Sequence, residues 1–230
     1  MKRVVVTGMS VITALGDDWD EFKSALIKGE NAVVTMREWD KADGLNTRLA
    51  APVTHFEKPN HYKRKQIRSM GRVALMSTRA TERALEQADL LEHKSLTDGS
   101  TGVAYGSSTG STPPLLAFAN MLESGSMSGV TATSYIQMMA HTAPVNVGVF
   151  FGLKGRVITT SSACTSGSQG IGYAYEAIKF GRQKVMVAGG QKNFVLPKQL
   201  YLIRCMLQVL KMTPLKIRLA HLIKTVMAWL

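Results

Sequence analysis

Acidic side chains are missing altogether from positions 191–230, where seven lysines and arginines stand without one Asp or Glu. The formal charge of +12 is therefore local, because the other 21 basic residues face 16 acidic ones and leave positions 1–190 at only +5. With 7% aromatics, no aromatic interleaving and no known motif, that charge does not single out nucleic acid as a partner. Cysteine is scarce too. Cys164 and Cys205 form neither a paired framework nor a metal-type spacing, which argues against a disulfide-stapled secreted protein and for a reducing, cytoplasmic setting. No apolar run reaches the ~20 residues of a membrane span, and the stretch after Lys2-Arg3 is too short for a signal peptide. His55, His61, His93 and His141 lack ligand spacing, so no metal is expected. The loop Gly106–Gly110 lacks the lysine of a P-loop and the glycine fingerprint of a dinucleotide site, so no cofactor is expected either.

What is present is a chain of 230 residues, 45% hydrophobic, of near-zero mean hydropathy, without internal repeats or low-complexity tracts. That composition suits a globular protein with a sizeable core. Strand-like runs at 3–7, 102–105, 156–160 and 184–188 alternate with helical patterns. Asp17 or Asp18 can cap a helix bearing Trp19, Phe22 and Leu26. A loop region with Pro52 and Pro59 runs to about Asn60, and one long helix is expected over 65–91. Further helices are expected at 115–122, 135–139, 144–151 and 166–180. Such alternation predicts an α/β layered sheet. Lys63-Arg64-Lys65-Gln66-Ile67-Arg68, at a helix start, reads either as a solvated face or as a dock for an acidic partner.

The run Val157-Ile158-Thr159-Thr160-Ser161-Ser162-Ala163-Cys164-Thr165-Ser166-Gly167-Ser168 stops a β-branched strand at small residues and opens a glycine-spaced helix. It sets Cys164 on a strand-to-helix turn. A thiol attacks as its thiolate, and an ordinary cysteine is only ~3% ionised at neutral pH. A helix N-terminus favours the anion by ~1 to 2 kcal/mol, so the setting suits a nucleophile. The same residue type is also common as a small core hydrophobe, and the run by itself leaves both roles open.

Lys2-Arg3-Val4-Val5-Val6-Thr7-Gly8-Met9, the Ser161–Gly167 elbow, the Gly152-Leu153-Lys154-Gly155 turn and Val187-Ala188-Gly189-Gly190 together resemble the β-ketoacyl-acyl-carrier-protein synthases. The resemblance covers 1–190. It implies the N-terminal half of a thiolase-like fold in α-β-α-β-α layers, a homodimer, and decarboxylative condensation of an acyl thioester with malonyl carrier protein in fatty acid or polyene biosynthesis. It further implies Cys164 as the acyl-accepting nucleophile, with its backbone N–H as half of an oxyanion hole. By the same analogy Lys65 and Arg68 contact the acidic acyl carrier protein, and Thr109 and Met138 line the acyl pocket near the dimer contact. Within the family, Leu45-Asn46-Thr47, the 70–80 helix and Ser168-Gln169 look most like ketosynthases of aryl polyene clusters.

The two histidines, the lysine and the glycine-rich phenylalanine loop that the family uses for decarboxylation do not occur in its motifs here. Residues 191–198 can be encoded CAG AAG AAC TTT GTC CTA CCG AAG, which, read with a G one base earlier, spells Ala-Glu-Glu-Leu-Cys-Pro-Thr-Glu, as the family continues. The same offset turns positions 218–230 into Pro-Arg-Pro-Phe-Asp-Lys-Asn-Arg-Asp-Gly-Leu-Val. The expectation is therefore a ketosynthase half over 1–190 and an out-of-frame, irregular or helical basic tail over 191–230. Such a chain is expected to be poorly soluble alone and unable to complete condensation. The alternative from another class is a non-catalytic fragment that binds carrier protein or pairs with an intact ketosynthase.

Overall fold

Along Thr101–Ser107 small and bulky residues alternate, and the period of two decides what each face of the central strand can hold. Gly102, Ala104 and Gly106 point one way, Val103, Tyr105 and Ser107 the other. In a computed structural model, which describes residues 2–191, the elements run in order α1 (Trp19–Ile27), β1 (Val34–Thr35), β2 (Leu49–Ala50), α2 (Arg64–Ile67), α3 (Arg72–Gln87), β3 (Thr101–Ser107), α4 (Thr112–Ser124), α5 (Ser134–Met138), α6 (Thr142–Phe151), β4 (Val157–Thr160), α7 (Ser166–Lys179) and β5 (Val185–Gln191). Within the described residues one compact unit holds 2–34 and 50–191, and a second holds Thr35–Leu49. In the second unit a 3₁₀ turn over Arg37–Lys41 buries Trp39, and Arg48 pairs with Asp40 at 2.6 Å.

The main sheet is parallel, ordered β4-β3-β5, with Ala104 level with Ile158 and Ala188. Parallel strands need helical crossovers, and α6 and α7 lie against this sheet. The bulky face forms the core: Val103, Tyr105 and Val147, with Phe151, Leu153 and Val187 packed around them. The small face receives α7 at backbone distance. A Cβ on Gly170 would lie 2.8 Å from the Ala104 carbonyl oxygen and 3.0 Å from that of Gly189, and one on Gly190 would lie 2.5 Å from the Gly167 Cα.

Asp18 caps α1 as expected, accepting from the N–H groups of Asp20 and Glu21 at 2.9 and 3.3 Å. Two expectations are corrected. Residues 3–7 form no strand, and Val5 and Val6 are 58% and 70% exposed. Strand propensity is a preference that a ladder partner must complete, and residues 3–7 pair with neither outer strand of the β4-β3-β5 sheet. The single long helix expected over 65–91 is broken into α2 and α3. Gly71 is extended at the break, and Ser111 Oγ stands 2.0 Å from where a Cβ would be, so a larger side chain does not fit there.

Two glycines of α7 give a paired prediction. Gly170→Ala is expected to destabilise by about 1–3 kcal/mol through overpacking, whereas Gly172→Ala, with nothing within 4 Å of its Cβ position, is expected to stabilise by about 0.5–1 kcal/mol. Urea unfolding of both variants checks this; equal shifts would mean that α7 is free to lift off the sheet.

Candidate active site

Strand β4 ends at Thr160, and the chain passes Ser161 and Ser162 into a 3₁₀ turn, Ala163–Thr165, that runs straight into α7. Cys164 is a free, exposed thiol in the middle of that turn. Ala163, one residue before it, has φ +51°, a left-handed conformation that costs a residue with a Cβ roughly 1–2 kcal/mol. Hydroxyls hold it there. Ser166 Oγ donates to the Ala163 carbonyl at 2.7 Å and accepts from the Ser162 N–H at 3.0 Å. Thr165 Oγ1 donates to the Ser162 carbonyl at 2.8 Å, and Ser162 Oγ donates to Gln169 Oε1 at 2.7 Å. Below the turn, buried Thr160 Oγ1 donates to the Ser166 carbonyl at 2.7 Å.

The small residues around Cys164 mark the elbow in the sequence but do not disclose that Thr160, Ser162, Ser166 and Gln169 tie the turn. The available signal was the density of hydroxyls on both sides of Cys164, since Ser and Thr readily bond nearby backbone.

The loop that follows β3 leaves from the same place. A Cβ on Gly106 would lie 2.2 Å from Thr160 Oγ1 and 2.6 Å from the Ser166 carbonyl. Ser107 Oγ then donates to the Thr109 carbonyl at 2.6 Å and accepts from its N–H at 3.3 Å, while Thr109 Oγ1 is buried without a partner. Gly110 packs on α5, its Cβ position 2.4 Å from the Met138 carbonyl. The loop bearing Thr109 is thus joined to Met138 at one end and to the cysteine turn at the other. Lys63, Arg64, Lys65 and Arg68 are exposed around α2, and among the described residues no carboxylate pairs with them.

Buried Glu82 of α3 accepts from Tyr62 Oη at 2.9 Å, bonds His61 Nε2 at 2.7 Å and pairs with Arg79. His61 and Tyr62 lead directly into the basic strip. Burial opposes ionisation of Glu82, but the hydrogen bonds from His61, Arg79 and Tyr62 outweigh it and hold the carboxyl below its ordinary 4.5. Burial first, and the Glu82 charge second, push the Tyr62 phenol well above its usual range.

A parallel sheet with a cysteine on the turn between the end of β4 and a helix seated on the sheet is the N-terminal half of a thiolase-like layered fold. The Beta-ketoacyl synthase, N-terminal domain family model matches residues 1–216, and the chain belongs to that family. It is 29% identical over 196 residues to 3-oxoacyl-[acyl-carrier-protein] synthase 2 of Vibrio harveyi, covering 85% of this chain and 47% of that protein. It is 32% identical over 193 residues to nodulation protein E of Rhizobium meliloti, covering 82% and 46%. Among solved structures, a β-ketoacyl synthase from Burkholderia phymatum superposes with a TM-score of 0.84 at 53% identity, covering 88% of this chain and 50% of that one. A type II polyketide ketosynthase in complex with its acyl carrier protein shares the fold, with a TM-score of 0.73 at 22% identity over 88% of this chain and 54% of that one. The chain spans about half the length of the curated relatives it matches. Among the described residues no helix is long and apolar enough to cross a membrane.

Because the folded-state pKa of Glu82 is depressed, its stabilisation is present above the ordinary 4.5 and is lost as pH falls through the lowered value. Melting temperature measured from pH 7 to 3 is expected to fall less steeply in Glu82→Gln than in the parent; parallel curves would remove the carboxylate network as the anchor of residues 61–62.

Proposed function

We propose that Cys164 accepts an acyl group by thioester exchange with a carrier protein, as the first step of decarboxylative condensation in fatty acid or polyene biosynthesis. The observation that carries this reading is the exposed thiol on a turn held by the left-handed Ala163 and a set of hydroxyls at the start of α7. The Cys164 sulfur attacks the thioester carbonyl carbon, and the carrier thiolate leaves and takes up the proton that the cysteine gives up. Backbone N–H groups in the first turn, that of Cys164 included, favour the negative charge developing on the carbonyl oxygen. Thr109 and Met138 line the acyl pocket, and Lys65 and Arg68 receive the acidic carrier in a reducing cytoplasm. In the complete reaction a carbanion, formed as malonyl carrier protein loses carbon dioxide, attacks the acyl-enzyme.

Labelling by a thiol-directed acyl-site inhibitor tests this reading. The parent is expected to label much faster than Cys164→Ala; Cys205 is common to both and subtracts out. Equal labelling removes Cys164 as the activated group.

We further propose that positions 191–230 are translated out of frame from a single-base loss near Gly190, so that this chain carries acyl transfer but not condensation. This concerns a segment that, except for Gln191, lies outside the described residues. Supporting it, both polar atoms of the Gln191 amide are buried with no hydrogen-bond partner among the described residues, beside a cleft that Val73, Ala74, Gln137, Thr142 and Asn146 also line. Sequencing the encoding DNA from the Gly190 codon onward is expected to yield the family's continuation one base away; codons that cannot spell it overturn the reading.

The second reading, a fragment that pairs with an intact ketosynthase or a second copy, is favoured by apolar side chains left in water on and beside α7. Ile171 and Phe180 are more than half exposed, and Tyr173 and Tyr175 nearly so.

A further inference from the structure

Gln137 of α5 does two separate things. Its side-chain Nε2 donates to the carbonyl oxygens of Arg68 at 3.2 Å and Met70 at 3.5 Å, across nearly seventy positions of chain. Its own carbonyl accepts the Ser111 N–H at 2.8 Å, and a Cβ on Gly110 would lie 2.6 Å from that same oxygen. Ser111 closes the figure, because its Oγ accepts the Val73 N–H at 3.4 Å beside the Gly71 backbone. Residues 68–73, 110–111 and 137–138 therefore form one closed arrangement, with Gln137 the side chain that spans it.

We propose that Gln137 is a positioning residue that sets the basic carrier-docking strip in register with the acyl-pocket segment. This rests on the reading of Lys65 and Arg68 as carrier contacts and of Thr109 and Met138 as pocket lining. The strip has two anchors. Tyr62 and His61 on Glu82 fix its beginning, and Gln137, together with Ser69 Oγ donating to Asn146 Oδ1 at 2.7 Å, fixes its end. Only the second anchor belongs also to the pocket. A carrier docked on the strip delivers its acyl group over a fixed span to Cys164, so a loosened end costs delivery and leaves the chemistry at the sulfur unchanged.

Gln137→Met keeps the length and apolar stem and removes the donor. In the full chain, acylation of Cys164 is followed by intact-mass measurement with octanoyl-[acyl carrier protein] and with octanoyl-N-acetylcysteamine, which has no docking surface. The variant is expected to raise KM for the carrier donor about fivefold, with kcat and the rate from the small thioester unchanged. Amide exchange at 68–70 and 110–111 is expected to be faster. Equal losses with both donors overturn the positioning role in favour of a general structural one, and an unchanged KM overturns it outright. Should neither donor acylate the parent, the nucleophile reading fails by itself. Exchange then decides Gln137: unchanged protection at both segments overturns the inference, and faster exchange at both upholds the link between them.

Discussion

The closeness of α7 to the sheet is the constraint on which the rest depends. Ordinary helix-on-sheet packing is separated by two layers of side chains, but here Gly167 and Gly170 meet Gly190, Gly189 and the Ala104 carbonyl backbone to backbone. Dispersion falls off steeply with separation, so this contact is rigid in a way that a layer of leucines is not. The first turn of α7 is thereby fixed relative to the end of β4, and the residues between them have little freedom. Cys164 owes its place to that fixed interval.

Ala163 follows from the same closeness. The chain must turn from the strand direction into a helix already seated on the sheet, within a few residues, and one of them takes a left-handed backbone. Glycine would do so without steric cost. Alanine instead is held by Ser166 and Ser162, so the strain is balanced locally by hydroxyl bonds that also stiffen the turn. The thiol is exposed while Thr160, Ser162, Ser166 and Gln169 tie the turn that carries it.

Much of this was legible in the residues. The cap expected at Asp17 or Asp18 is Asp18, the strand expected at 102–105 is the middle of β3, and the elbow around Cys164 lies between β4 and α7; each depends on local chemistry. Of the motifs that suggest a ketosynthase half, the Ser161–Gly167 run lies in one of those elements. What could not be read depends on partners distant in sequence. Val4, Val5 and Val6 have strand propensity, but a strand needs a ladder partner, and nothing in three valines reports that they pair with neither β4 nor β5. The helix expected over 65–91 has an apolar pattern on both sides of Gly71. At its break stands Ser111, forty residues on, whose Oγ fills the place of a Cβ on Gly71 and accepts the Val73 N–H at 3.4 Å. Gln137 is silent in the sequence for the same reason, since its partners are the carbonyls of Arg68 and Met70.

The contacts that place Cys164 and those that place its surroundings differ in kind. Cys164 follows β4, the Thr109 loop follows β3 and Gln191 ends β5, so three consecutive C-terminal ends of a parallel sheet meet on one side, where such sheets present their sites. The first of these is set by backbone-to-backbone glycine contacts, which admit no substitution without moving a helix. The loop and the basic strip are set by hydrogen bonds from Gln137, Ser69 and Ser107, each worth only about 1 kcal/mol net, and by that of Tyr62 to the Glu82 carboxylate, worth about 1.5–3 kcal/mol. Substitutions at those side chains shift the loop and the strip without disturbing the turn. A fold built this way varies the surroundings of Cys164 far more readily than the place of its sulfur.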